Sequence, residues 1–315
     1  MIRKKFTSIS ITGGLGNQLF QLAAGLYYAN NQELFVDIKN ASPRISENGL
    51  PDICSYDLPS NIVINTNKRK SKLIEKIISY NLRLGLKKQN KRDLIYSKFI
   101  LLITNVFMSL RFRSLTHTIV NKGVGFSNLK HRLFWNCQLI GYFQTYYFAE
   151  KLNAESSLRS LRLKNHDPLV EYYKDLARDE CPLIVHVRLG DYLKERHFGT
   201  LSEEYYSSAI SYIWKMSNFK KIWLFSDDLD SAIIKIPQAF RKYIRSIPEI
   251  SNSAASTLEV MRFGKGYIIA NSTYSWWGAY LAYDERVKVL APKKWFYGME
   301  DPIKLIPHNW VLILN

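Results

Sequence analysis

Pro182-Leu183-Ile184-Val185-His186-Val187-Arg188-Leu189-Gly190-Asp191-Tyr192 passes from an apolar run into charge within a few residues. Pro182 to Val187 reads as a central strand, buried on both sides, that stops where the charges begin. Open α/β sheets take their ligands at the carboxyl ends of their strands. Arg188 at such an end can grip a phosphate with two parallel hydrogen bonds. Asp191 can orient that guanidinium, bind a sugar hydroxyl or take a proton. His186 alternates with Arg188, so both side chains leave one face of the strand. The competing reading is a surface salt bridge beside a core histidine. Two further motifs weigh against it.

Around this strand the chain alternates strand and helix. Strands are expected at 183–188, 221–226, 266–271 and 287–291, and helices at 203–217, 229–243, 254–264 and 276–284. Such alternation predicts a parallel sheet covered on both faces. The amino-terminal half begins the same way. Ser8 to Thr12 alternates like a strand, Gly13-Gly14-Leu15-Gly16 turns, Asn17 to Asn30 has helical periodicity, and Leu34 to Ile38 is a second strand. The chain therefore reads as two Rossmann-like halves joined near 150–165, which sets the domains at 1–155 and 156–315.

The 315 residues carry a net charge of +17, unevenly placed. Between Asn65 and Trp135 sixteen lysines and arginines face two acids, Glu75 and Asp93, a local excess of +14. Residues 65–130 thus read as a basic helical insertion. A block of this kind suggests a basic face for an anionic surface rather than a nucleic-acid-binding protein. No apolar run reaches the roughly 20 residues of a membrane span. Cys54, Cys137 and Cys181 give neither a disulfide framework nor a metal spacing. The expected setting is the reduced cytoplasm, with residues 68–113 in peripheral contact with an anionic membrane face.

Three motifs carry chemistry. In the first, Gly13 to Gln21, the backbone of Gly14 and Gly16 can approach a ligand at a helix start. Its spacing imitates a dinucleotide fingerprint, with Asp37 where a ribose-binding acid would lie, but Leu19 replaces the third glycine. An NAD-dependent oxidoreductase is therefore the alternative enzyme reading. Asn17 and Gln18 can bind sugar hydroxyls or cap the helix. The second motif is His186 to Tyr192. The third, Asn271-Ser272-Thr273-Tyr274-Ser275-Trp276-Trp277, opens a helix after a strand and can meet a diphosphate through Asn271, Ser272, Thr273 and Ser275. An ordinary helix cap beside two core tryptophans is the plainer reading. Asp227 and Asp228 end another strand but lack an ordered third ligand, so no metal is expected.

Taken in order, these motifs resemble the family 11 glycosyltransferases, the bacterial α-1,2-fucosyltransferases. Gly141-Tyr142-Phe143-Gln144, Glu204-Tyr205-Tyr206, Phe225-Ser226-Asp227-Asp228 and Ala291-Pro292-Lys293-Lys294-Trp295-Phe296 are similar to family segments too. The resemblance implies a GT-B architecture, two Rossmann-like domains facing across a cleft, with the acceptor on the amino-terminal one. It implies metal-independent, inverting transfer from GDP-fucose to a galactose-terminated glycan, which could be lipid-linked. Arg188 would grip the donor diphosphate, His186 the nucleotide and the Asn271–Ser275 turn phosphate, with Asn17 near the fucose-phosphate group. The family's second arginine is Leu189 here, on the opposite side of the strand from Arg188. It should therefore accept arginine with the fold intact, and a non-catalytic sugar-binding homologue is the reading its loss leaves open. The acceptor hydroxyl needs a base, with Asp191 first and Glu204 or Asp37 as alternatives.

Overall fold

The computed structural model describes residues 6–38, 50–65, 76, 80, 91–112, 116–121, 124–125, 136–154, 157–190, 199–297 and 300–315. The chain divides into two compact units, Met1–Leu158 with Pro302–Leu305, and Arg159–Asp301 with Ile306–Asn315. Half of the basic segment 65–130 lies outside the described residues, including all of 66–90 except residues 76 and 80.

In the first unit β1 (Thr7–Ser10) leads through the glycine turn into α1 (Leu15–Ala29), then β2 (Leu34–Asp37) and β3 (Ile62–Asn65). Helix α2 (Lys91–Phe112), β4 (Thr116–Val120), β5 (Asn136–Ile140) and the short α3 (Tyr146–Glu150) follow. The five strands run parallel in the order β3-β2-β1-β5-β4. The chain winds outward from β1 and then returns to its other side, which puts a topological switch point between β1 and β5. The alternation in β1 does not mark a wet face, because all four of its residues are buried. Its serines are satisfied by β5: Ser8 Oγ donates to Gln138 Oε1 at 2.6 Å, and Gln138 Nε2 donates to Ser10 Oγ at 3.4 Å.

The second unit holds α4 (Pro168–Glu180), β6 (Leu183–Val187), α5 (Glu203–Trp214), β7 (Ile222–Ser226), α6 (Leu229–Ile234), α7 (Gln238–Arg241) and β8 (Ile244–Ser246). It continues with α8 (Ala254–Met261), β9 (Gly266–Ile268), α9 (Thr273–Tyr280), β10 (Lys288–Pro292) and β11 (Val311–Ile313). Its parallel sheet has the order β11-β10-β9-β6-β7-β8. Counted from β6, that is the doubly wound 3-2-1-4-5-6 order of dinucleotide-type folds, and its switch point lies between β6 and β9. The expected two Rossmann-like units are both present. Their details differ from expectation where backbone chemistry intervenes. Pro237 splits the helix expected at 229–243 into α6 and α7. Helix α4 was not anticipated, although Asp167 caps it by accepting from Leu169 N–H and Pro168 opens it.

Buried charge secures the second unit. Arg262 is 1 % exposed and donates to Leu281 O, Leu161 O, Arg159 O and Glu259 Oε2 at 2.8–3.0 Å. It thus ties residues 159–161 to α8 and to the end of α9. Glu180, at the end of α4, accepts from Trp223 Nε1 on β7 and from Arg245 on β8. Arg262→Ala removes the buried counter-charge of Glu259 and the donor to Leu281 O, although Arg162 still reaches Arg159 O and Leu161 O and Tyr283 still reaches Glu259. We expect a loss of about 3–5 kcal/mol, read from urea unfolding. A loss below 1 kcal/mol would contradict the assigned network.

Candidate active site

The switch point of the second unit brings two of the sequence motifs together. The last paired residues of β6 and β9 are Val185 and Ile268; beyond them the two strands no longer pair. Two adjacent tyrosines of α5 satisfy carbonyls there. Tyr206 Oη donates to His186 O at 3.2 Å, and Tyr205 Oη to Ile269 O at 2.7 Å. Both rings are buried. They hold the place where His186 to Arg188 and Asn271 to Ser275 emerge. A crevice at this position is where ligands sit in doubly wound sheets.

The turn after β6 is fixed by Asp227, the residue after β7. Its Oδ1 accepts from Leu189 N–H at 3.0 Å, and its Oδ2 lies 3.4 Å from Arg188 Nη1. A Cβ on Gly190 would fall 2.3 Å from the same Oδ2, so the turn needs glycine there. Leu189 is 5 % exposed and packs into the core with Val187, Leu201 and Tyr205. It does point away from Arg188, as expected. The expectation that it would accept arginine with the fold intact is corrected, because a guanidinium there would be an unpaired charge in an apolar core. Asp191 lies outside the described residues, so the carboxylate seen to brace Arg188 is Asp227.

His186 is buried, and its ring centroid lies 6.2 Å from that of Tyr274. Nδ1 has no hydrogen-bond partner among the described residues. Burial, with the Arg188 charge adding to it, holds the imidazole neutral, its pKa lowered to about 3. In the third motif the helix-cap reading accounts for much of the chemistry. Ser272 caps α9 by accepting from Tyr274 N–H, and Ser275 Oγ donates to Ala270 O and Ser272 O. Asn271 Nδ2 donates to Gly199 O and Trp295 O. Thr273, at the first helical position, is half-buried. Trp276 and Trp277 are fully buried core residues, as expected.

The first unit has a different kind of switch point. Gly13 adopts φ +73°, and a Cβ there would strike Asn17. Gly14 is the N-cap of α1, and a Cβ there would meet nothing within 4 Å. The protein itself does not demand glycine at 14; open space does, if a ligand fills it. Gly16 is buried in the first turn. Gln18 donates to Gly13 O and accepts from Ile53 N–H, so it clamps the loop rather than facing a ligand. Gln21 likewise accepts from Thr12 N–H and donates to Thr12 Oγ1 and Gly141 O. Asn17 Oδ1 accepts from Gln144 Nε2 at 3.0 Å, across the switch point from the loop after β5. That loop is strained: Gly141 has φ +145° and Phe143 φ +54°. It leaves the buried Gln144 Oε1 without a partner among the described residues. Gln144, Tyr205, Tyr206 and Asp227 carry roles that reading the motifs one by one does not assign.

The remaining expectations separate cleanly. Glu204 is exposed in the first turn of α5, its carboxyl held low by a hydrogen bond from Ser202. Asp37 ends β2, half-buried. Asp228 caps α6 by accepting from Ser231 N–H at 3.1 Å. No group of three metal-ligating side chains occurs among the described residues. A cavity of about 590 Å³ opens where Gly264 and Lys265 lead into β9, at the opposite edge of the same sheet. Its buried charges, Arg262 and Glu259, already satisfy each other.

Comparison with known proteins adds the following. A sequence model of glycosyl transferase family 11 matches residues 102–311. The O-antigen biosynthesis glycosyltransferase WbnK of Escherichia coli is 28% identical over 96% of this chain and 98% of its own. An alpha-1,2-colitosyltransferase of Escherichia coli is 27% identical over 96% of this chain and 97% of its own. Among solved structures, the fucosyltransferase NodZ from Bradyrhizobium superposes with a TM-score of 0.49 at 13% identity, over 90% of this chain and 97% of that one.

The state of His186 is testable without substrate. An unfolded chain binds a proton at this imidazole near pH 6.5, whereas the folded chain does so only near 3. Between those values the unfolded state holds more protons, so stability falls as pH falls. At pH 5 the loss relative to pH 8 is about 2 kcal/mol. Urea unfolding of wild type and His186→Leu at both pH values should show the wild type losing that much more than the variant. Equal losses would mean that the imidazole is not buried in its neutral form.

Proposed function

The chain belongs to glycosyl transferase family 11, and from that premise we propose that it moves L-fucose from GDP-β-L-fucose to the 2-hydroxyl of a galactoside in a surface glycan. The linkage formed is α-1,2. The observation that carries this reading is Arg188, braced by Asp227 at the β6/β9 switch point beside the buried Nδ1 of His186, which has no partner among the described residues. The names of the two Escherichia coli relatives favour O-antigen as the glycan.

The chemistry follows from charge. Breaking the bond between C1 of the sugar and the phosphate oxygen leaves that oxygen's electron pair on GDP. A preplaced guanidinium and the first N–H groups of α9 stabilise the charge as it grows. A neutral His186 suits a nucleotide polar atom and is poorly suited to act as the base. The acceptor hydroxyl attacks the opposite face of C1 and gives its proton to a carboxylate, for which Asp191 is our candidate from its place in the motif. Transfer needs no metal in this scheme, since Asp227 is engaged by Arg188 and Leu189 and Asp228 by its helix. From the first unit, Asn17 and the open backbone at Gly14 are our candidates for the sugar-phosphate portion of the donor, with Gly16 buried in the turn behind them.

Calorimetric titration should give heat with GDP and none with UDP or NAD. Incubation with GDP-fucose and a panel of β-galactosides should yield a product whose NMR spectrum shows the α-1,2 linkage, with or without EDTA. Preference for UDP would overturn the donor. Turnover with GDP-colitose but not GDP-fucose would replace the sugar, and loss of activity in EDTA restored by Mn²⁺ would overturn metal independence.

Arg188 is the side chain whose loss should cost most. Lysine offers a point charge where phosphate needs paired donors, so Arg188→Lys should fail nearly as badly as Arg188→Ala. The expected penalty is about 3–4 kcal/mol, a 10²–10³-fold fall in kcat that exceeds any change in GDP-fucose affinity. A folded Arg188→Ala enzyme with near-normal kcat would show that the diphosphate is held elsewhere.

A further inference from the structure

Helix α2 exposes apolar side chains that a surface helix ordinarily turns inward. Ile95, Phe99, Leu102, Val106 and Leu110 are 54 to 73 % exposed. Tyr96 and Ile103 flank them and are exposed as well. At 3.6 residues per turn these seven positions fall within an arc of about 120°. That is the width of stripe by which an amphipathic helix normally packs on its core. Yet the packing of α2 uses another side. Asn105, well outside the arc, accepts from Thr118 N–H of β4 at 2.6 Å, and Ile100, Asn105 and Ser109 are half-buried. The outward stripe is therefore a second apolar face, left over after the helix has joined the sheet.

Charge indicates what covers it. Exposed Lys98 borders the arc, and Lys91, Arg92 and Arg111 lie in the two ends of the helix. The whole segment from 65 to 135 has its excess of +14. A second copy of the chain would bring two such blocks together and repel. An anionic bilayer attracts the cations and takes up the apolar stripe in one step. No helix among the described residues is long and apolar enough to cross a membrane. We propose that α2 lies in the headgroup region of an anionic membrane, its Ile95–Leu110 stripe inserted and its cations on the lipid phosphates.

The test is flotation of the full chain with vesicles of phosphatidylcholine, with and without phosphatidylglycerol. Wild type should float with the anionic vesicles and stay behind with the neutral ones. Leu102→Asp/Val106→Asp should lose flotation by at least tenfold while circular dichroism stays unchanged, and Leu110→Asp serves if the double variant fails to fold. Lys98→Gln should weaken partition by about fivefold. The proposal is overturned if wild type floats with neither vesicle or with both alike. It is equally overturned if the aspartate variants float as wild type does. It also fails if vesicles are ignored while gel filtration shows a self-association that these variants abolish. None of these readouts depends on the donor or on activity.

Discussion

The carboxylate of Asp227 is the contact on which the arrangement at the second unit's switch point rests. One oxygen holds the Leu189 N–H and the other faces the Arg188 guanidinium. With Leu189 anchored in the core on one side of the chain, Arg188 has to leave on the other. Gly190 completes the turn because any side chain would displace the carboxylate. The fold itself thus sets the direction of the cation, which is the preplacement that the proposed diphosphate contact calls for. The same carboxylate prevents Arg188 from standing as an uncompensated charge beside the buried imidazole of His186.

Parallel sheets create this need for extra support. Where neighbouring strands part at a switch point, their carbonyls lose ladder partners, and a buried carbonyl without a hydrogen bond is costly. Tyr205 and Tyr206 answer that need, one for each strand, from consecutive positions on α5. In the first unit the same need is met by amides. Gln18 and Gln21 close the glycine loop from below, and Gln144 reaches Asn17 across the gap.

Strand alternation, glycine turns and the three motifs made the two Rossmann-like units legible in the sequence, because those signals are local. What stayed hidden depends on partners far along the chain. Asp227 read only as half of an acidic pair without a third ligand and so without a role, and the residue that explains it lies 38 positions earlier. Ser8 to Thr12 read only as an alternating strand, and it takes Gln138 on β5 to show how its serines can be fully buried. Glu204 stood beside Tyr205 and Tyr206 in one motif, yet the tyrosines face the switch point and the acid faces water. Helix α4 had its cap and its proline in plain view, so its start was legible although only Val170, Ala177 and Glu180 of its residues are buried.

The two switch points also differ in the chemistry they offer. The second unit presents a fixed cation, a neutral imidazole whose Nδ1 has no partner among the described residues, and a helix start. Such a set favours phosphate over any uncharged group. The first unit presents an asparagine, a buried glutamine oxygen without a partner among the described residues, and a glycine whose missing Cβ faces open space. Amides both donate and accept without bearing charge, so they suit hydroxyl groups and gain little from an anion. The two surfaces are of different kinds. The fold supplies each by the same device, a motif pair at the carboxyl edge of strands that part. The tyrosine supports and the glutamine clamps serve the fold wherever such strands part, whatever the ligand, so what the motifs add to it is an aimed cation in one unit and uncharged amides in the other.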